Sequence, residues 1–268
     1  MVGAACAAAA GGLRWDVVAA ALGCALWVQI GANFANDVFD FEKGADTEER
    51  LGPVRAVQAG LLTPAQARRG MVLTLALSGA CAAYLVWVAG WPLAVVGVLA
   101  VLSAIAYTGG PYPLGYHGLG DLFVLLFFGF VAVGGTVYSC LGRIPELAWW
   151  SALPVGCLAT AILVVNNLRD RVTDEASGKR TLAVRLGRRG AVAELALLLA
   201  ASYGTTVVLH LRGLAGPAIH LPWLTAPWAA MLIYQAVHRS GRPLNATLVS
   251  TARLLLVFGL LLTAGILI

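Results

Sequence analysis

An all-α, multi-pass transmembrane helical bundle is the fold class this sequence predicts, and three observations predict it. Hydrophobic residues make up 60% of the 268 positions and charged residues only 12%, against about 25% charged in soluble domains. Apolar runs recur along the whole chain at roughly the 20 residues a helix needs to cross a bilayer core of about 30 Å. The basic residues, finally, gather in alternate loops, as crossing topology demands.

The elements follow in order. The first apolar run, 2–10, is half a crossing long and lacks the basic leader of a signal peptide. It reads as the outer half of a first helix whose inner half is missing, so the bundle has about nine helices with the first apparently truncated. Gly11 and Gly12 turn the chain, and Asp16 is the expected N-cap of the next helix. Full spans are expected at 17–36, 70–89, 92–108, 120–141, 147–168, 191–211, 221–238 and 247–268. No break in composition separates a soluble unit, so 1–268 is one transmembrane domain.

With alternating crossings, the loops 37–69, 109–119, 169–190 and 239–253 share one face. They hold fifteen of the eighteen Lys and Arg; the other face has Arg14, Arg143 and Arg212. The positive-inside rule puts the first face in the cytoplasm of a cell with its bundle in the plasma membrane. In this setting the net charge of +5 reports topology and excludes nucleic acid as the partner; the lipid bilayer is the partner, and no obligate protein partner is evident. The five cysteines all fall in apolar runs without CxxC spacing and read as small residues in helix contacts. Gln29, inside a span, reads as an interhelical hydrogen-bonder. Arg188, Arg189, Arg239 and Arg242 read as snorkelling basics.

The same face carries ten of the thirteen carboxylates, in two dense groups and one outlier, Asp121. The first group contains Asn33, Asn36, Asp37, Asp40, Glu42 and Asp46; the second contains Asn166, Asp170, Asp174 and Glu175, followed by Lys179 and Arg180. Asn33/Asp37 and Asn36/Asp40 are four apart, and Asn166, Asp170 and Asp174 form an i, i+4, i+8 row, which stacks each set on one helical face. A carboxylate at membrane depth costs roughly 2.5–3.5 kcal/mol even on lenient scales, so these rows face the bundle interior or a wet cavity. The repeated Asn-x-x-x-Asp pattern, 130 positions apart, suggests two pseudo-repeated halves around a central cavity. Facing Asp and Asn oxygens repel unless a cation sits between them, and hard oxygen ligands suit Mg²⁺. Lys179, Arg180 and Arg55 add the donors that complete a cradle for a diphosphate.

These residues resemble the UbiA-type superfamily of membrane prenyltransferases, whose members carry a first motif NDxxDxxxD and a second motif DxxxD. Here Asn36-Asp37-Val38-Phe39-Asp40 matches the first and Asp170-Arg171-Val172-Thr173-Asp174 the second. Gly44 stands where the third Asp would be and Asp46 follows two residues later, a variant similar to the branch that prenylates 1,4-dihydroxy-2-naphthoate in menaquinone synthesis. The runs Gly52–Pro64, Tyr107–Asp121 and Asn166–Gly187 are similar to that branch too. The resemblance covers nearly the whole chain and implies nine helices, Mg²⁺ as cofactor, and a polyprenyl diphosphate and an aromatic acceptor as substrates. It implies Asn36, Asp40, Asp170 and Asp174 as metal ligands and Lys179, Arg180 and Arg55 as diphosphate donors. Asp37, Asp46 and Asp121 are candidates for orienting the ring or the metals, and loop 107–121 for a lid that keeps water from the allylic cation. Members of the same family take other acceptors, among them 4-hydroxybenzoate, homogentisate, haem and glycerol-phosphate lipids. A transporter of an anionic metabolite is the non-enzymatic alternative, though transporter sites lie at mid-depth and these rows lie at one face.

Overall fold

A computed structural model describes residues 1–44, 51–107, 109 and 111–268. Among the described residues there are nine α-helical elements and no strand. They are α1 (Val2–Ala9), α2 (Trp15–Glu42), α3 (Pro64–Ala89), α4 (Pro92–Ala106), α5 (Gly120–Leu141), α6 (Glu146–Ala176), α7 (Leu182–Leu211), α8 (Ala226–His238) and α9 (Leu244–Leu267). Six of these, α2, α3, α5, α6, α7 and α9, are long and apolar enough to cross a membrane. α4 has 15 residues, and the expected span 221–238 is split between a 3₁₀ stretch, Pro217–Thr225, and α8.

The apolar runs locate the helices but understate several of them at the charged end, three of which border the acidic rows. α2 extends to Glu42, α6 to Ala176, and α7 starts at Leu182 rather than 191. In each case backbone hydrogen bonding continues past the last apolar residue, so the acidic rows are helical continuations of the spans. α7 is two pieces joined at Gly187, whose φ of 68° only glycine adopts without strain. Asp16 is not an N-cap. Arg14 holds that position with extended backbone, and Asp16 lies in the first turn, accepting from Arg14 and from the Tyr84 hydroxyl, each at 2.6 Å. A carboxylate there still complements the helix dipole.

The core centres on α6, whose middle is the most buried stretch of the molecule. Its neighbours are α7, α5 and α9, and α1 packs against α5, α9 and α6. The approach of α5 is unusually close. Leu125–Val131 is a π-helical segment, and there Gly129 and Gly156 face each other so tightly that a Cβ on Gly156 would stand 2.7 Å from the Leu125 carbonyl oxygen. Small residues let membrane helices approach backbone to backbone, and a π-turn shifts the register of the side chains that follow. α2 and α3 form a second packed pair. α2 and α6, which carry the two acidic rows, make little direct contact with one another.

Trp15, Trp87 and Trp91 are exposed at the ends of α2, α3 and α4 opposite the acidic rows, where an interfacial aromatic belt would lie. Gln29 is exposed and not an interhelical bonder; it falls on the stripe of α2 that continues to Asn33, Asn36 and Asp40. Arg188 is not a snorkelling residue either. Its Nη2 donates to the carbonyls of Ala236 and Val237, both at 2.9 Å, and to that of Arg239, capping the orphan acceptors at the end of α8.

Candidate active site

The site is assembled where α2 and α6 end. Asp40, 3% exposed, is the last full turn of α2 and gathers three donors from three parts of the chain. Arg55 Nη2 lies 3.3 Å from its Oδ2, the Tyr116 hydroxyl donates to its Oδ1 at 2.9 Å, and Lys179 Nζ stands 3.6 Å from the same oxygen. Lys179 also lies 3.9 Å from Asp174 Oδ1 at the end of α6. One ammonium thus bridges the first acidic row and the second, at the place where a cation between the rows is expected.

Asp37 faces elsewhere. It is buried and accepts from the backbone N–H of Ala56 at 3.1 Å and of Val57 at 3.3 Å. A carboxylate that caps two adjacent amides fixes the segment carrying them, and that segment presents Arg55 to Asp40. The arrangement makes Asp37 an anchor for the segment that carries Arg55.

Asp170 is gripped by its own neighbour. Arg169 Nε and Nη2 donate to the two carboxylate oxygens at 2.8 and 2.5 Å, and Nη2 also reaches Asn166 Oδ1 at 2.9 Å. Sequence spacing had given Asn166, Asp170 and Asp174 as one row without a partner for it. The signal was present in the dipeptide Arg169-Asp170, but adjacent residues on a helix do not face each other; only the long, flexible arginine side chain makes the pairing.

The described segment 111–121 reaches the rows through Tyr116. Two ammonium groups lie over the Tyr116 ring, Lys43 Nζ at 4.9 Å and Lys179 Nζ at 4.7 Å from its centroid, a favourable placement for a cation on the π-system. The loop is strapped to the start of α7: the Arg180 N–H donates to the Tyr116 carbonyl at 2.8 Å, and Arg185 donates to the carbonyls of Arg180 and His117. The Arg180 side chain itself is exposed. Asp121 opens α5; it is 5% exposed, and its Oδ1 has no hydrogen-bond partner among the described residues.

Tyr107 ends α4 with its hydroxyl against Gly120, where a Cβ would stand 2.8 Å away. Burial, reinforced by the charges of Asp121, Asp174 and Asp40, raises its phenol well above the ordinary range. Lys43 is lowered instead, by burial and by the nearby Lys179, with Asp40 opposing. The Tyr107 shift reports a buried phenol close to three carboxylates, whereas Lys43 itself is exposed at the edge of the cluster.

Of the residues singled out from sequence, Asp40, Asp174, Lys179 and Arg55 come together. Asn36 sits one turn before Asp40 on α2, and Asp170 one turn before Asp174 on α6. Asp46 lies outside the described residues. Tyr116, expected from the sequence only as part of a capping loop, joins the cluster through Asp40, and Tyr107, Arg169 and Asn245 join it without having been singled out as site residues. Among the described residues no group of three or more His, Cys, Asp or Glu side chains closes into a ready-made metal site. The oxygen-only donors, already bridged by a cation, nevertheless fit a divalent ion whose remaining ligands come from phosphate and water.

Comparison with known proteins gives the family and the fold. The UbiA prenyltransferase family matches residues 1–240. A 1,4-dihydroxy-2-naphthoate octaprenyltransferase of Haemophilus influenzae is 43% identical over 166 residues, 60% of this chain and 54% of that protein. The enzyme of the same name from Escherichia coli is 39% identical over 215 residues, 78% of this chain and 69% of its own length. The apo structure of a UbiA homolog from Aeropyrum pernix K1 shares the fold, with a TM-score of 0.75 at 17% identity over 99% of this chain and 94% of that one. The matched region thus spans little more than half of the first of these relatives.

Proposed function

This chain belongs to the UbiA prenyltransferase family, and from that premise we propose that it transfers a polyprenyl group from an isoprenoid diphosphate to 1,4-dihydroxy-2-naphthoate with loss of CO₂. The observation that carries the reading is Lys179, held between Asp40 and Asp174: two acidic helices joined through a cation are what a diphosphate with its metal requires. The names of the relatives from Haemophilus influenzae and Escherichia coli support naphthoate as the acceptor.

Asn36, Asp40, Asp170 and Asp174 would hold the divalent metal, which we take to be Mg²⁺. When bound, it would neutralise charge on the diphosphate as the leaving group departs. The chain's own residues do the rest. Lys179 and Arg55 turn from the carboxylates to the diphosphate oxygens, with Arg180 at the rim, so that positive charge is in place before the allylic C–O bond breaks. Asp37 keeps Arg55 in position. The loop bearing Tyr116 covers the rows and keeps water from the allylic cation. Asp121, with one carboxylate oxygen open, and Asp46 remain the candidates for orienting the acceptor ring. The carboxyl-bearing ring carbon bonds to the prenyl C1; the bond to the carboxylate then breaks, CO₂ leaves, and its electron pair restores the aromatic ring. The polyprenyl tail lies along the apolar helices, and the site faces the cytoplasm from the plasma membrane.

Membranes carrying this chain test the proposal when assayed with several aromatic acceptors and polyprenyl diphosphates, with Mg²⁺ and with EDTA. Turnover confined to 1,4-dihydroxy-2-naphthoate and abolished by EDTA is expected; preference for 4-hydroxybenzoate overturns the acceptor. Asp40→Ala removes the acceptor of three donors and is expected to abolish transfer, and near-normal turnover in that variant sinks the metal-cradle reading.

A further inference from the structure

Arg169 looks at first like one more cation for the diphosphate. Its geometry denies that role. A guanidinium has five N–H groups, and four are already spent inside the protein. They go to Asp170 Oδ1, Asp170 Oδ2, Asn166 Oδ1 and, from Nη1 at 2.8 Å, Asn245 Oδ1 near the start of α9. The residue is 4% exposed. Gly52 seals it from another side, since a Cβ there would stand 2.9 Å from Nη2. Within the pair, the Arg169 side chain is 2% exposed and that of Asp170 18%. The arginine therefore takes the protein-facing side of the carboxylate and leaves its remaining lone pairs toward solvent.

We propose that Arg169 is a positioning residue for the second acidic row: held by Asn245, it fixes the Asp170 carboxylate in the orientation that receives a divalent cation. The inference rests on the functional reading above insofar as it takes Asp170 for a metal ligand. Partners that grip a ligating side chain from behind set its orientation and basicity, and their loss costs about 10–100-fold in metal affinity. Asn245 also ties the arrangement to the first row. Its Nδ2 donates to the Leu51 carbonyl at 2.9 Å, and four residues further on Arg55 meets Asp40 while Asp37 holds the amides of Ala56 and Val57. The segment 51–57 is thus fastened at one end to the partner of Asp170 and at the other to Asp40, so the two rows keep a fixed separation.

The test is Mn²⁺ binding to the purified full chain in nanodiscs, with inorganic diphosphate present, followed by loss of the free-ion EPR signal. Arg169→Lys keeps the charge but not the forked grip and is expected to weaken Mn²⁺ binding about 100-fold; Asn245→Ala, which releases the arginine, is expected to weaken it about tenfold. Asn245→Asp keeps the acceptor for Arg169 but loses the N–H donated to Leu51, and is expected to weaken Mn²⁺ binding less than Asn245→Ala does. Thermal unfolding of each variant separates misfolding from mispositioning, and if Arg169→Lys does not fold, the two Asn245 variants decide. Wild-type affinity in Asn245→Ala, or equal loss in Asn245→Ala and Asn245→Asp, overturns the proposal. A wild-type chain that binds Mn²⁺ with diphosphate yet prenylates no aromatic acceptor would overturn the functional reading alone.

Discussion

Replacing Asp37 by Asn separates an anchor from a catalyst. Asp37 stands inside the first motif, two backbone amides point at its carboxylate at 3.1 and 3.3 Å, and the side chain is buried. Asparagine offers one oxygen and one NH₂ group, so one amide keeps an uncharged acceptor and the other meets a donor. Hydrogen bonds to a charged group are worth about 1.5–3 kcal/mol. Losing one and weakening the other displaces the segment that presents Arg55, at a cost of that order. If the whole cost falls on the transition state, transfer slows by about 10- to 150-fold. The assay is prenyl transfer in membrane vesicles with both substrates varied. With Arg55 proposed to serve the diphosphate, KM for the polyprenyl diphosphate should rise while that for the acceptor stays put. Turnover within about threefold of wild type, less than 1 kcal/mol, would refute the anchoring argument. A fall in kcat with both KM values unchanged would instead return Asp37 to the reacting atoms.

Three further outcomes follow from the same geometry. Tyr116→Phe keeps the ring near Lys43 and Lys179 and loses only the hydroxyl bond to the Asp40 carboxylate, about 1.5–3 kcal/mol. Tyr116→Ala also loses two cation–π contacts of about 0.5–1 kcal/mol each, so initial rates should fall in the order wild type, Phe, Ala; equal rates for Phe and Ala would show that the ring does nothing. Gly156→Ala forces a Cβ against the Leu125 carbonyl, and overpacking of about 1–3 kcal/mol should lower the unfolding midpoint in detergent by several degrees, with no change expected only if the π-segment can yield. Because the Tyr107 phenol is raised, it stays protonated through the pH range near 10 in which exposed tyrosines ionise. Tyr107→Phe should therefore leave the tyrosinate absorbance step in that range unchanged, and a smaller step would place Tyr107 in water.

What the sequence made legible was whatever depends on periodicity and on local charge. Asn36/Asp40 and Asp170/Asp174 are on single helical faces because four residues is nearly one turn, and that holds whatever the helices pack against. The helix ends were less legible. Apolar runs end where lipid ends, whereas α2 and α6 continue by backbone bonding to Glu42 and Ala176, which is why the acids ride on rigid helices. Contacts made by long side chains across the chain were not legible at all: Arg188 on the end of α8, Asn245 on Leu51, Tyr116 on Asp40. Each joins positions between 48 and 194 residues apart, and nothing in spacing marks them. The same limit applies to charge type at the site. A basic residue beside an acidic row can serve the substrate or the row itself, and only the count of its filled N–H groups distinguishes the two. Lys179, shared loosely at 3.6 and 3.9 Å, can turn to an arriving diphosphate at little cost. Arg169, bonded at 2.5 to 2.9 Å to three residues, cannot. The division of labour between the two cations therefore lies in how completely each is already bound.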